Sequence, residues 1–442
     1  MESNPISPTS VAAPVSQSER IVIIDMLRGI ALLGILLMNI PYFALPDPAA
    51  DNLAVMKELG TINAKVWYAI NFFFDGTQRA IFSMLFGAGV ILFLTRLEKR
   101  VDGMTAAEYF MRRQLWLLVF GLFDAFILLW NGDILFDYAV CGTILFAFRR
   151  LPPKKLLIAA VISLVLMTAR ENVGLYRQKN IISKGEAIAK IDTTKTKLNE
   201  QQKEDLGALT GYKENLSVES MRKEMEKNMR QIRGDYGTIY TNISNSSARF
   251  EFIGSYYYIW DILVFMFFGM AFFKMGILTG EAPTKTYWLL FIIGLSIGLT
   301  LSYLRLKPLL HYQFNFYDIN KNQKFELYEI ARVFRSLGVF GLIILLYKSG
   351  IFNWLFKLLR PVGQMAFTNY LMQSALCGIF FYGIGFGMYG KLQRYQAYYV
   401  VGAVWVIEII WSNIWLRYFR FGPLEWCWRS LTYWKKQPMK KI

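Results

Sequence analysis

The sequence predicts an all-α polytopic membrane protein of about ten transmembrane helices, with a helical soluble insert between the fifth and the sixth. Three observations carry this reading. Of the 442 residues, 55% are hydrophobic and 16% aromatic while 18% are charged, which is more apolar surface than one water-soluble core can hide. Apolar runs close to the 17 to 25 residues that a membrane helix needs recur ten times along the chain. A single long polar stretch interrupts them. The net charge of +17 is spread between the apolar runs and forms no basic stripe, so the composition excludes nucleic acid as a partner. Three cysteines and one histidine, His311, exclude a disulfide framework, a Cys/His zinc site and a haem cage.

Residues 1–20 are polar, lack a basic n-region and a small-residue cleavage site, and read as a cytoplasmic tail. An N-terminal membrane bundle over 21–169 holds spans near 21–44, 77–95, 114–130, 134–148 and 156–169. The fourth and fifth are short, which leaves a merged or re-entrant pair open. Residues 170–250 carry 15 basic and 11 acidic side chains and form the insert, read as extracytoplasmic. Within it Leu216, Met221, Met225, Met229 and Ile232 recur at near-helical spacing, as on a solvated helix with one apolar face. A C-terminal bundle over 251–421 holds spans near 256–278, 286–304, 331–347, 365–385 and 396–416. Residues 422–442 place Trp426, Trp428 and Trp434 among cations, the composition of a segment lying at the headgroup level. Lys and Arg number 22 on one side of this threading and 8 in the short loops of the other, so both termini are expected in the cytoplasm.

Polar side chains inside a membrane are costly, and each is a candidate either for helix association or for function. Asp25 and Arg28 share a face near the inner end of the first span, as an ion pair or as a seat for an anionic group. Arg112 and Arg113 open the third span on the same side. Asn39 lies about 16 Å beyond Arg28 and Asp124 about 17 Å beyond Arg113, both in the outer half. Asp75 and Arg79 open the second span from outside, and Asp133 and Asp137 open the fourth at i, i+4 spacing. Asn39, Asp75, Arg79, Asp124, Asp133 and Asp137 are therefore expected in one outward-facing region, as a hydrogen-bonded ring or as a catalytic or proton-coupling site. Asn369, Gln373 and Glu408 on later spans are candidates for substrate binding, with Glu408 near the bilayer middle. The run DINKNQKFELYE gives Asp318, Asn320, Asn322 and Glu329 the spacing of calcium ligands in an EF-hand-like loop, with Gln323 where the sharp turn favours Gly.

The stretches RIVIIDMLRGIALLGILLMNI, IFSMLFGAGVILFLTR, LLWNGDILFDYAVCGTILFAFRR, GQMAFTNYLMQSALCGIFFYGIGFGMYG and WLRYFRFGPLEWCWRSLTY resemble the YeiB family of bacterial membrane proteins, domain of unknown function 418. That family is grouped with the transmembrane acyltransferases. The resemblance implies a ten-helix bundle in the bacterial inner membrane that moves an acyl group from a cytoplasmic donor, acyl-CoA, to an outer acceptor. It also implies residues that this chain replaces. Where acyltransferase-3 proteins carry Arg and, eleven residues later, a catalytic His, this chain has Arg28 and Asn39, and an amide is no base. Where many YeiB-like proteins carry a His, this chain has Asp124.

Three functions follow as expectations. In a membrane acyltransferase, Asp124 handles the proton, with Arg79 or Asn39 steadying charge, while Arg28, Arg112 and Arg113 hold donor phosphates. A transporter or flippase for a small anionic or lipid-linked substrate would use the same acids as coupling groups. A non-catalytic membrane scaffold would use the insert. Membrane lipids and a small-molecule or lipid-linked substrate are the expected partners, and the sequence does not decide whether the chain forms a homo-oligomer.

Overall fold

The computed structural model describes residues 21–441, so the tail expected at 1–20 lies outside the described residues. In chain order the helices are α1 (Val22–Ala44), α2 (Asp47–Asp51), α3 (Ile62–Phe73), α4 (Thr77–Leu97), α5 (Gly103–Phe126), α6 (Leu135–Phe148), α7 (Pro153–Ile188), α8 (Glu200–Asn215), α9 (Val218–Ile232), α10 (Tyr236–Ala248), α11 (Ser255–Lys274), α12 (Thr284–His311), α13 (Phe316–Asn322), α14 (Tyr328–Ser349), α15 (Asn353–Gln364), α16 (Ala366–Phe381), α17 (Arg394–Tyr418) and α18 (Pro423–Tyr433). A π-helical turn, Arg249–Gly254, joins α10 to α11. Local chemistry sets the boundaries. Asp102 caps α5 by accepting from the backbone of Met104 and Thr105, Pro153 opens α7 where no N–H is needed, and Gly350 in left-handed geometry closes α14.

Each of the ten apolar runs coincides with a helix, and the protein is a helical membrane protein. Among the described residues, seven helical stretches are long and apolar enough to cross a membrane: Val22–Ala44, Ile62–Leu97, Pro153–Ile188, Tyr236–Lys274, Thr284–His311, Tyr328–Ser349 and Arg394–Tyr418. The other three runs lie on α5, on α6 with 14 residues and on α16 with 16. The fourth and fifth runs form two separate helices, not one. The fifth is also not short: α7 continues to Ile188 because nothing between Thr168 and Ile188 breaks a helix, so the polar stretch begins as a stalk rather than a loop.

Helix α1 is central, packing on α4, α15, α16 and α17. Helices α7, α12 and α17 turn apolar side chains such as Ile162, Ile292 and Ile410 outward, where lipid would cover them. The tightest contacts run through glycine. At Gly269 an added Cβ would meet the Met84 carbonyl, and at Gly87 it would meet that of Met266, which lets α11 and α4 touch backbone to backbone. Gly269→Ala is therefore expected to cost about 1–3 kcal/mol, seen as a lower thermal midpoint in detergent. Gly402→Ala on α17, where a Cβ meets nothing within 4 Å, is the neutral control.

The insert is helical and docked. Helix α9, capped by Ser217, packs on α2, and the Arg222 guanidinium donates to the carbonyls of Val55 at 2.9 Å and Ala54 at 3.2 Å.

Candidate functional site

A cavity of about 250 Å³ runs along α4 from Phe82 to Arg96, a distance of about 21 Å at the helical rise. One end is cationic. Arg96, Arg113 and Arg429 line it there, with Arg28 midway, next to Gly89. Gly89 does not serve helix contact as Gly87 does: a Cβ on it would sit 3.6 Å from the Arg28 guanidinium, so its small size leaves room in the cavity. The walls are apolar, with Leu85, Phe86, Leu117 and Phe367 among them, and the far end is closed by Leu135, Tyr138 and Tyr370.

The C-terminal helix builds the cationic end. Trp428 Nε1 donates to the Arg113 carbonyl at 2.9 Å while the Arg113 guanidinium lies 3.6 Å from the Trp428 ring centre, so the cation is fixed by stacking and backbone together. Glu425 accepts from the backbone N–H groups of Phe367 (2.8 Å) and Thr368 (3.0 Å) and from the Thr368 hydroxyl, capping the start of α16. Burial pushes its carboxyl up, and the Thr368 bonds oppose that rise. The segment expected to lie at the headgroup level thus forms a wall of the cavity.

Of the four residues expected to seat an anionic cofactor, Asp25, Arg28 and Arg113 line this cavity. Asp25 and Arg28 do form an ion pair, at 3.6 Å, and Gln364 Nε2 donates to Asp25 at 3.1 Å. Arg112 does not line it. One helical step from Arg113, it faces the other way, pairing with Glu108 and donating to the Thr432 carbonyl at 3.2 Å.

At the closed end the tyrosines lead onward. Tyr370 Oη accepts from the Ile134 backbone at 3.1 Å and donates to Asp133 at 3.3 Å, and Asp133 accepts from Phe136 N at 2.9 Å. Asp124 lies against Asp133 and Ser374, fully buried, yet neither of its oxygens has a hydrogen-bond partner of good geometry among the described residues. Asp137 accepts from Ser255 Oγ. Two buried carboxyls in contact with no cation between them are what helix packing alone would avoid.

The six outer residues expected together are divided by the structure. Asp124, Asp133 and Asp137 form one group. Asp75 and Arg79, one turn apart in sequence, turn to different partners: Asp75 bonds Arg305 at 2.6 Å, while Arg79 bonds Asp261 at 2.6 Å. Asp261 also meets Arg332, which bonds Glu329 at 2.7 Å. Gly76, at φ +67°, makes the turn between Asp75 and α4 against the Arg332 side chain. Asn39 is half-buried on α1.

Asn369 and Gln373 tie helices: Asn369 Nδ2 donates to Ser412 Oγ at 2.9 Å, and Gln373 Nε2 donates to Glu408 at 3.1 Å and to the Leu32 carbonyl at 3.4 Å. None of the three, Glu408 included, lines the cavity. The calcium-spaced residues are not gathered round one point. Asp318 to Asn322 belong to helix α13, Asn320 donates to Tyr212 at 2.7 Å, and Glu329 is buried against Arg332. No group of three or more His, Cys, Asp or Glu among the described residues could hold a metal ion. His311 ends α12, exposed and away from the cavity.

Sequence reasoning missed Arg96, Arg429, Tyr138, Tyr370 and the fully buried Glu251. The arginines counted as topological cations, the tyrosines are two of 25, and Glu251 stands in a stretch read as a boundary.

Residues 272–435 match the model of the family described as "Protein of unknown function (DUF418)". The chain is 29% identical to the uncharacterized protein YxaH of Bacillus subtilis, over 97% of this chain and 98% of that one. It is 27% identical to the uncharacterized protein YeiB of Escherichia coli, over 94% and 96%. An uncharacterized 39.9 kDa protein of Bacillus acidopullulyticus, from the amylase 3′ region, is 27% identical over 96% and 97%. No solved structure matches. The likeness to the DUF418 family thus rests on the C-terminal part of the chain, and the likeness to YxaH and YeiB, below 30% identity, runs nearly end to end.

Proposed function

We propose that the protein is a membrane acyltransferase of the bacterial inner membrane. An acyl donor binds from the cytoplasmic side by its phosphates at Arg28, Arg96, Arg113 and Arg429, and its thioester arm runs up the cavity toward Tyr370. An acceptor hydroxyl or amine approaches from the outer side, and Asp124 takes its proton. One observation carries this reading: a single cavity has arginines at one end, apolar walls, and at the other end a tyrosine bonded to a buried carboxyl pair. Guanidinium groups suit phosphates, and the walls suit an alkyl chain. Acyl-CoA has both parts.

The test is retention of labelled acyl-CoA by purified protein. The Arg28→Gln/Arg113→Gln variant is expected to lose at least tenfold in affinity, since each charge-assisted bond contributes about 1.5–3 kcal/mol. Equal retention by wild type and variant, or none by wild type, would remove the proposal.

The direction rests on the basic asymmetry, which puts both termini in the cytoplasm and the insert outside. Thr193→Cys, on an exposed turn of the insert, in a background lacking Cys141, Cys377 and Cys427, is expected to react with an impermeant thiol reagent in cells with an intact inner membrane. Reaction only after lysis would reverse the orientation. A second reading is favoured by the position of His311 far from the site, which leaves no imidazole to act as base. A proton-coupled transporter for an anionic or lipid-linked molecule needs only the carboxyls. Proton-dependent uptake into vesicles without covalent change would select it.

A further inference from the structure

Glu251 sits on the π-helical turn between the insert and the membrane bundle, fully buried, and both of its carboxyl oxygens lack a hydrogen-bond partner among the described residues. Its placement is built. Four residues before it, Ser247 Oγ donates to the Ala125 carbonyl at 3.3 Å, beside Asp124. Four residues after it, Ser255 Oγ donates to Asp137. Between them the Phe252 ring packs edge-on against Phe136 at 5.7 Å. Residues 247, 251 and 255 recur at helical spacing on one face, so the two serine anchors aim Glu251 at the carboxyl group of acids. The charged and titratable groups that act on this cluster are Asp124 from α5, Asp133 before α6, Asp137 and Cys141 from α6, Tyr370 from α16, Tyr382 just after it and Arg79 from α4. A π turn places one extra residue in a helix and recurs at functional positions, and a fold with no use for this acid could bury an apolar side chain here at no penalty.

We propose that Glu251 is a working member of the site, holding and passing a proton in a relay that runs from Asp124 through Asp133 to the Tyr370 hydroxyl at the closed end of the arginine-lined cavity. Asp124, Asp133 and Glu251 are fully buried, which suits a proton and not a bulky cation. The direction of flow rests on the acyl-transfer reading. As the acceptor attacks the thioester carbonyl, its O–H or N–H proton passes to a carboxylate of the Asp124 and Glu251 pair. Asp133 receives a proton from that pair and gives one to Tyr370, whose own hydroxyl proton goes to the departing thiolate. One C–O or C–N bond forms, one C–S bond breaks, and every relay group ends as it began. One proton thereby passes from the acceptor to the thiolate without a path for solvent.

The experiment is a pH titration of the purified full-length protein in detergent, followed by the infrared carbonyl band of protonated carboxylic acids. Glu251→Gln is expected to remove part of that band and to shift the titration of the carboxyls that remain, and Glu251→Asp to restore it in part. Retention of labelled acyl-CoA at the arginine end is expected to match wild type in both. A band and titration in Glu251→Gln identical to wild type would overturn the proposal. If the Gln variant does not fold, Tyr370→Phe keeps the ring, drops the relaying hydroxyl and is expected to slow the single-turnover step at least tenfold with donor retention intact; an unchanged rate would also overturn it. Failure of wild type to retain acyl-CoA would remove the acyl-transfer reading instead, and the infrared titration would still decide the role of Glu251.

Discussion

Asp124→Asn is expected to lower turnover by about 10²- to 10⁴-fold, the usual contribution of a positioned general acid or base. The amide keeps the shape of the carboxyl and removes its ability to titrate. Asp124 is fully buried against Asp133 and Ser374, away from bulk water that could substitute for the lost group. Asp124→His is expected to retain part of the activity, because imidazole also carries a proton and is the residue that the family resemblance implies at this place. Donor retention at Arg28 and Arg113 should be unchanged in both variants, which separates a chemical defect from a folding one. Normal turnover in Asp124→Asn would leave this residue a structural role only. The assay is transfer of a labelled acyl group to an extracted acceptor, or uptake into vesicles should the transport reading hold.

Arg332→Gln is expected to destabilise the protein by about 3–5 kcal/mol, the cost of stranding buried charges by removing their partner. Arg332 is fully buried between Asp261 and Glu329, and Arg79 shares Asp261 from the other side. Without it two acids would face each other across one remaining guanidinium. Detergent-solubilised variant should lose its monodisperse peak on heating well before wild type. The double change Arg332→Met/Glu329→Gln, which leaves the Arg79–Asp261 pair in place, should recover much of the loss, since replacing both partners of a buried ion pair is far cheaper than removing one. A single variant as stable as wild type would mean that the network contributes little to the fold.

These two outcomes separate what looked like one feature in the sequence. Helical rise alone gave Asp75, Arg79, Asp124, Asp133 and Asp137 a similar expected depth. Azimuth was not. Each helix rotates freely about its own axis until its neighbours are known, so Asp75 and Arg79, one turn apart, could as well have paired with each other as with Arg305 and Asp261. The same uncertainty hid the difference between Arg112 and Arg113: adjacent residues on a helix point about a quarter-turn apart, and only the docking of α18 shows that Arg113 faces the cavity.

The sequence by itself determined that this is a helical membrane protein, where its apolar runs lie and that a charged helical segment divides them, because those properties depend on hydropathy summed over twenty or so neighbouring residues. It also marked Arg28, Arg113, Asp124 and Asp133 through the expense of burying charge in an apolar run. Only the tertiary structure decided that Arg96, Arg113 and Arg429 meet at one cavity, that Tyr370 joins that cavity to Asp133, and that Glu251 enters the acid cluster from 118 residues beyond Asp133. Those juxtapositions depend on helix rotation and on which helices touch, and both are set by close contacts such as Gly269 against Met84 that no local window of sequence contains.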